Sequence, residues 1–171
     1  GLTGKFWAHQ NYDVKPDIIS FGKKTQVCGI LAGPRLDEVK DNVFKESSRI
    51  NSTWGGNLID MIRFKYTLEI IEKENLVENA FVMGDILLDE LEAIQKEYPK
   101  FVSNVRGKGL MCAFDLPDGA QRDVFLAKMW ENKVMILLCG DKSMRFRPHL
   151  NVSEDEIKQG CKIIRNILSE M

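Results

Sequence analysis

One lysine of this chain stands where a lysine can act as a nucleophile. The run 16–24 (PDIISFGKK) is an apolar, β-prone stretch that ends in Gly22, and Lys23 follows at once. Desolvation at the end of a buried strand disfavours the charged ammonium, lowers the pKa of the amine and makes it reactive toward carbonyl compounds. Lys24 is the competing candidate, and for an arbitrary Gly-Lys-Lys a solvated lysine would be the ordinary interpretation of both. Two further segments make the nucleophile hypothesis specific.

The first of these segments offers a place for a phosphate. Residues 51–56 (NSTWGG) put Thr53 ahead of a predicted helix. A hydroxyl together with backbone N–H groups at the start of a helix suits a phosphate group. The alternative is plain helix capping by Asn51 or Ser52, which is common in any Asn-Ser-Thr run.

The second segment contains two arginines that could bind a carboxylate. Residues 144–148 (MRFRP) carry Arg145 and Arg147, which point to the same face if the segment is a strand. A guanidinium group pairs bidentately with a carboxylate and so fixes its orientation. A surface strand held by salt bridges is the competing interpretation of the same pattern.

Composition narrows the class of protein. The 171 residues carry a net charge of −1 that is spread along the chain, which gives no indication of binding to nucleic acid or to an acidic membrane surface. No apolar run approaches the roughly 20 residues that span a bilayer. The N-terminus has neither the layout of a signal peptide nor an initiator methionine, and is typical of the interior of a longer protein.

The cysteines and histidines argue against a metal site. Four cysteines lie far apart, each among apolar neighbours, which predicts reduced, buried thiols in a cytoplasmic protein: Cys28, Cys112, Cys139 and Cys161. With only His9 and His149 available, a zinc site is not expected.

The hydrophobic periodicity predicts strands and helices that alternate in the second half of the chain, which indicates an α/β fold. Strands are predicted at 18–21, 27–31, 101–105, 110–116 and 134–138, with helices at about 56–75, 78–98 and 120–132. Residues 35–50 are expected to be irregular with a short helix. Ser153 and Glu156 form a capping box that predicts the start of a last helix.

These motifs together resemble one enzyme family. Residues 1–4 (GLTG), 21–29 (FGKKTQVCG), 51–57 (NSTWGGN) and 106–111 (RGKGLM) are similar to the C-terminal part of the class III aminotransferases, fold-type-I enzymes that use pyridoxal 5′-phosphate. Within that family the likeness is greatest to the branch that acts on the terminal amine of L-lysine. The 4-aminobutyrate branch shares residues 5–9 (KFWAH), the Phe-x-Lys-Lys pattern and residues 139–143 (CGDKS), and is the nearest alternative.

The resemblance implies roles for three residues. Lys23 would form the Schiff base with pyridoxal phosphate and later shuttle a proton, Thr53 would reach the cofactor phosphate of the neighbouring subunit, and Arg145 would grip the substrate α-carboxylate while chemistry occurs at the far end. The 106–111 segment would be a structural turn. His149 stands where the family usually has a proline, which changes the local backbone and not Arg145.

The resemblance also implies an organisation and a reaction. The fold expected is the end of a large cofactor-binding domain (1–55), linking helices (56–97) and a small C-terminal α/β domain (98–171). The expected reaction transfers the ε-amino group of L-lysine to 2-oxoglutarate in a cytoplasmic homodimer with a shared active site. The aspartate that pairs with the pyridine nitrogen should lie upstream of Gly1, so the chain by itself is expected to be inactive.

Two other functions stay open at this point. A truncated aminotransferase domain kept for oligomerisation would take up no cofactor. A different class III reaction, such as that of an aminomutase, decarboxylase or racemase, would use Lys23 without an amino acceptor.

Overall fold

The computed structural model describes residues 1–25, 27–50 and 52–171, with Lys24 described by its backbone only. By packing, the chain divides into two units: residues 12–74, and residues 1–11 together with 75–171. In the described part of the chain, no helix is long and apolar enough to cross a membrane.

The unit 12–74 contains a β-hairpin and a helix. Strands β1 (Ile18–Phe21) and β2 (Gly29–Ala32) pair antiparallel, and a short 3₁₀ helix at Lys23–Thr25 lies between them. A second 3₁₀ helix spans Pro34–Glu38, and α1 spans Leu58–Lys73. The prediction of β1 is confirmed, but β2 begins two residues later than predicted. The Thr25 hydroxyl donates to the Val27 carbonyl oxygen at 2.6 Å, which keeps Val27 in the loop.

Helix α1 has its own N-terminal cap. The Asn57 side chain accepts a hydrogen bond from the backbone N–H of Ile59 at 2.9 Å. The expectation that Ser52 caps this helix is therefore wrong, because α1 begins six residues after Ser52; Asn51 lies outside the described residues.

Most of the large apolar residues of α1 are exposed. The apolar residues whose spacing predicts this helix are exposed at five positions, Leu58, Met61, Ile62, Tyr66 and Ile70, and half-buried at Leu68. Among the described residues of the unit 12–74, Val27 is the one buried apolar side chain. Helix α1 thus has an apolar surface that the described residues leave exposed.

The second unit is an antiparallel sheet backed by three helices. In chain order its elements are α2 (Leu76–Glu97), β3 (Ser103–Lys108), β4 (Met111–Asp115), α3 (Gly119–Glu131), β5 (Leu137–Cys139), β6 (Ser143–Phe146) and α4 (Glu154–Ser169). The strands lie in the order β3-β4-β6-β5. The predicted order of elements is confirmed up to β5, which begins three residues later than predicted; β6 was not predicted as a separate strand, although the R-F-R segment was expected to be extended.

One face of this sheet builds the core. Phe114 of β4 and Met144 of β6 are fully buried and belong to one apolar cluster with residues of α2, α3 and α4. Phe114 and Phe125 of α3 meet edge to face, with ring centroids 5.8 Å apart. Because side chains alternate along a strand, the residues next to Phe114 and Met144 point to the opposite face of the sheet.

The predicted capping box of α4 is confirmed. The Ser153 hydroxyl accepts from the backbone N–H of Glu156, and the Glu156 carboxylate accepts from the backbone N–H of Ser153 at 2.8 Å. This reciprocal pair satisfies two N–H groups at the helix start.

Glycines let three backbone segments of this unit touch. A Cβ on Gly84 of α2 would lie 2.2 Å from the carbonyl carbon of Gly109, which forms the β3–β4 turn with Leu110. Gly109 has φ +52°, and a Cβ there would lie 2.5 Å from the carbonyl carbon of Thr3. The Leu110 N–H also donates to the Leu2 carbonyl oxygen at 2.9 Å. These contacts explain why residues 1–11 pack with 75–171.

The cysteines are free thiols in two different environments. Cys112 and Cys161 are buried, and burial raises the pKa of each thiol to about 12. Cys28 and Cys139 are exposed, so the expectation of four buried thiols is wrong for these two. Cys28 lies in the loop between β1 and β2, and Cys139 ends the edge strand β5, where the described residues leave it exposed.

Candidate active site

Lys23 begins the 3₁₀ helix directly after β1 and Gly22. Its φ of +61° is in the left-handed region, which costs a residue with a side chain about 1–2 kcal/mol. Such strain persists where the surroundings impose it, and it concentrates at functional sites. The side chain is exposed and has no hydrogen bond or ion pair with any described residue. Its amine is therefore not used in a contact with the described residues.

The environment of Lys23 differs from the expectation in one respect. The residues of β1 alternate between exposed and half-buried, so the strand is not buried within this chain. The residues that the structure describes leave the Lys23 side chain exposed, so they do not supply the expected desolvation. The side chain of Lys24, the competing lysine, lies outside those residues.

An aromatic contact fixes the strand that leads to Lys23. The ring of Phe21 stacks on Phe64 of α1, with centroids 5.8 Å apart and an interplanar angle of 22°. Gly29 is the cross-strand partner of Phe21, and a Cβ on Gly29 would lie 2.3 Å from the Phe21 ring. Glycine is required here because the ring occupies the space of a side chain. The sequence interpretation missed this contact, although a glycine within an apolar strand often marks such a close approach.

Thr53 presents a free hydroxyl. The residue is exposed and its side chain makes no hydrogen bond with a described residue. The turn around it is held by the backbone, since the Gly55 N–H donates to the Ser52 carbonyl oxygen at 3.0 Å. Because Asn57 caps α1, the hydroxyl of Thr53 is not used for capping.

Arg145 lies in the middle of β6, in a different unit from Lys23 and Thr53. Its Nε is closed to solvent and has no hydrogen-bond partner among the described residues. No hydrogen bond or ion pair involves its terminal nitrogens there either. A buried donor without an acceptor costs free energy, and an arginine in this state is suited to receiving an anion from outside the chain.

Arg147 resembles Arg145 in this respect. It is half-buried, and the described part of the chain gives it no hydrogen bond or ion pair. Every other arginine contacts an acidic side chain or a backbone carbonyl: Arg35, Arg49, Arg63, Arg106, Arg122 and Arg165. The two arginines of the R-F-R segment are thus set apart, and the interpretation of this segment as a strand held by salt bridges is wrong within the described residues.

Arg106 is more than part of a turn. Its guanidinium donates to the Asp115 carboxylate at 3.0 Å and to the Ser143 hydroxyl at 3.1 Å. Burial acts to raise the pKa of Asp115, but hydrogen bonds from Ser143, Asn104 and Arg106, with the charge of Arg106, outweigh it and hold the net pKa below the usual value. Asp115 is therefore ionised at neutral pH. Sequence reasoning gave no signal for this cluster.

A comparison with protein families decides the identity of the fold. The model of the family "Aminotransferase class-III" matches residues 1–168. The chain belongs to the class III aminotransferases. Enzymes of this family use pyridoxal phosphate, and the α/β fold expected for the C-terminal part of a fold-type-I enzyme is confirmed.

Individual aminotransferases agree with this assignment. An L-lysine-epsilon aminotransferase of Mycobacterium tuberculosis is 51% identical over 98% of this chain, which corresponds to 37% of that relative. A solved structure of lysine aminotransferase from M. tuberculosis, in the internal aldimine form, superposes with a TM-score of 0.96 at 50% identity, over 99% of this chain and 39% of that one. The mitochondrial 4-aminobutyrate aminotransferase of Sus scrofa is 36% identical over 99% of this chain and 33% of its own length. The chain thus spans little more than a third of the relatives that it matches.

The residues of this aminotransferase chain fit pyridoxal phosphate in part. The uncommitted Lys23 amine suits the cofactor's aldehyde, and the free hydroxyl of Thr53 suits its phosphate. The unpaired guanidinium of Arg145 suits a substrate carboxylate. A carboxylate partner for the pyridine nitrogen is not among the residues that we assign.

Proposed function

We propose that the complete protein containing this chain transfers the ε-amino group of L-lysine to 2-oxoglutarate. The products are 2-aminoadipate 6-semialdehyde, which cyclises, and glutamate. The observation that carries the proposal is the identity of 51% with a lysine aminotransferase, against 36% with a 4-aminobutyrate aminotransferase over the same part of the chain.

Each assigned residue has a chemical task in this reaction. Pyridoxal phosphate, when bound, supplies the electron sink that makes a C–H bond next to the amino group acidic. Lys23 would hold the cofactor through its Nζ, and the same amine would take up the proton that leaves Cε of L-lysine and then pass it on as a general acid. Both tasks require a neutral amine, which the surroundings of Lys23 in the complete protein would favour by desolvation.

Thr53 and Arg145 bind rather than react. The Thr53 hydroxyl donates a hydrogen bond to the cofactor phosphate. Arg145 binds the α-carboxylate of a substrate through its unpaired guanidinium, which fixes the orientation of the substrate. Under this proposal the chain is inactive without the rest of the protein. It contains Lys23 and one arginine that binds a carboxylate, but little of the cofactor site.

The proposal includes a homodimer in which Thr53 serves the cofactor of the partner subunit. It is supported by large apolar side chains that follow Thr53 directly: Trp54 and Leu58 are each 78% exposed, and Ile59 is 69% exposed. A group of this kind next to a polar site residue is typical of a surface that a second chain covers. The domain division 1–55, 56–97 and 98–171 belongs to the same proposal, as does a cytoplasmic location, which the four free thiols support.

The first test is a donor panel on the complete protein. We expect turnover with L-lysine and 2-oxoglutarate, and lower kcat/KM with 4-aminobutyrate and ornithine. Activity with 4-aminobutyrate and none with L-lysine would overturn the choice of donor. Turnover of an amino acid without any need for 2-oxoglutarate would favour a different class III reaction, and absence of cofactor uptake would favour the oligomerisation fragment.

The second test asks whether the site is shared. A dimer of the Lys23→Ala variant is expected to be inactive, and a dimer of the Thr53→Ala variant to bind the cofactor weakly. If Thr53 serves the partner's site, a mixed dimer of the two variants contains one site with both native residues. The activity of each mixed dimer should then be about half that of a wild-type dimer.

A site built within one subunit would leave every site of the mixed dimer defective. No recovery of activity on mixing would therefore overturn the shared site. Mixing the Lys23→Ala variant with wild type serves as the control for subunit exchange.

A further inference from the structure

Asp115 is placed to pair with Arg145 but does not. The two residues lie on the same sheet face, because Ser143 is the cross-strand partner of Asp115 and Arg145 follows two residues later, opposite Ala113. Such diagonal neighbours are about 7–8 Å apart, within reach of a long side chain. The structure nevertheless gives Arg145 no ion pair with any described residue.

The reason is that both oxygens of the Asp115 carboxylate are already occupied. Oδ1 accepts from Arg106 at 3.0 Å and from the Ser143 hydroxyl, and Oδ2 accepts from Asn104 at 2.9 Å. Arg106 also donates to the Ser143 hydroxyl, which links the donors to one another. The Asp115 side chain is 11% exposed, so these donors take the place of water.

An irregularity in β3 makes this arrangement possible. The pairing of β3 with β4 shifts between Ser103 and Arg106, and Asn104 lies there with φ +52°. The neighbouring Val105 N–H donates to the Gln95 side chain at 3.1 Å instead of to β4. A bulge of this kind redirects a side chain, and here it accompanies the contact of Asn104 with Asp115.

We propose that Arg106, Asn104 and Ser143 sequester Asp115 and thereby keep Arg145 free for the substrate carboxylate. Arg106 is a positioning residue that acts through Asp115 and does not touch the substrate. This inference rests on the proposed function of Arg145.

The expected effect follows from a competition. A substrate binds the fraction of molecules in which Arg145 is unpaired, so the apparent dissociation constant rises in inverse proportion to that fraction. If Asp115 paired with Arg145 in nine molecules of ten, the KM for that substrate would rise about tenfold. At saturating substrate the same molecules react, so kcat changes little.

The experiment uses the complete enzyme and begins with Arg145→Gln. In this variant we expect the KM of one substrate, L-lysine or 2-oxoglutarate, to rise on the order of a hundredfold. That substrate is the one that Arg145 binds. Arg106→Gln is then expected to raise the same KM about tenfold with kcat within about twofold. In the double variant Arg106→Gln with Asp115→Asn, the competing charge is gone and KM should return close to the wild-type value.

Ser143→Ala, which removes one donor and no charge, is a second and milder variant. It should raise the same KM by a smaller factor, and Asp115→Asn should again restore it. Competitive inhibition by hexanoate, a carboxylate without an amino group, reports binding without turnover and should weaken in parallel if L-lysine is the affected substrate. Lys128→Gln removes a cation of α3 that pairs with Glu170, and is the control expected to change nothing.

The outcomes separate the inference from the proposed function. An unchanged KM in Arg145→Gln for both substrates would overturn the assignment of Arg145 and the inference with it. A raised KM in Arg145→Gln beside an unchanged KM in both Arg106→Gln and Ser143→Ala would overturn the inference alone. A raised KM that Asp115→Asn does not restore would show that Arg106 acts by supporting the fold, and would also overturn it.

Discussion

Two arginines of this chain differ in what their guanidinium groups contact. Arg106 and Arg145 lie on one face of the same sheet, yet the guanidinium of Arg106 is used on an internal carboxylate and that of Arg145 is not. An ion pair within the chain favours the fold, whereas an unpaired donor is useful only when a ligand arrives. The contrast supports our proposal that Arg145 binds a substrate carboxylate.

The lowered pKa of Asp115 leads to a prediction about stability. A carboxyl group with a lowered pKa in the folded state stabilises the protein above its ordinary pKa of about 3.9, and this contribution is lost as pH falls through the lower, folded value. Asp115→Asn should therefore flatten the loss of stability below about pH 4. At pH 7 it should cost about 1–3 kcal/mol, because the donors around it lose a charged acceptor.

Denaturant unfolding of this chain at a series of pH values measures the effect. Asp89→Asn is the matched control, since Asp89 is exposed on α2 and has no ion pair with a described residue. An acid dependence that is the same in Asp115→Asn and in wild type would contradict the prediction.

The candidate site could be predicted from the sequence only where short motifs define it. Lys23, Thr53 and Arg145 were located by residues adjacent to them in the chain. The sequestration of Asp115 could not be predicted, because it joins β3, β4 and β6 through a bulge that leaves no residue pattern. The contact of Phe21 with Phe64 likewise joins residues that are distant in sequence.

The hydrophobic periodicity predicts whether a segment is a helix or a strand better than it predicts what covers that segment. The spacing of its apolar residues predicts α1, and the helix is present, but most of these residues are not covered by the part of the chain that the structure describes. A period of 3.6 residues reports that one helix face is apolar and not which surface covers it. Side-chain hydrogen bonds moved element boundaries, as the Thr25 contact did at the start of β2.

Two helical glycines give a prediction at this scale. Gly84→Ala in α2 should destabilise the chain by about 1–3 kcal/mol or more, because its Cβ would lie 2.2 Å from the backbone of Gly109 and neither side can yield. Gly160→Ala in α4 is the matched control, since no described atom beyond the neighbouring backbone of its own helix lies within 4 Å of its added Cβ. It should stabilise by about 0.5–1 kcal/mol.

Thermal unfolding of the two variants beside wild type tests this pair. A Gly84→Ala variant at least as stable as wild type would show that α2 and the β3–β4 turn are not packed as described.

At the scale of the whole molecule, the two units differ in how much core they contain. Residues 1–11 and 75–171 share one apolar cluster around Phe114, whereas the described part of 12–74 buries the apolar side chain of Val27 only. Stability within a protein follows such differences in buried apolar contact.

Hydrogen exchange should reveal this difference. In the isolated chain, amides of α1 are expected to exchange much faster than those of α2 and α4, although all three are regular helices, because α1 has no buried residue. In the homodimer that we propose for the complete protein, the same amides of α1 should become protected. Equal protection of α1 and α2 in the isolated chain would contradict the prediction.

The contact of Leu2 with Leu110 has a consequence during synthesis. The Leu2 carbonyl oxygen accepts from the Leu110 N–H, so the first residues of this segment find their partners in a strand turn that is far along the chain. At about 5–20 residues per second, a ribosome needs on the order of ten seconds to make the roughly 100 residues between them. Throughout that interval Leu2 lacks this hydrogen-bond partner, although α2, which Gly1 and Gly4 approach at Val77 and Phe81, is made earlier. The packing of these first residues is therefore completed only after the β3–β4 turn leaves the exit tunnel.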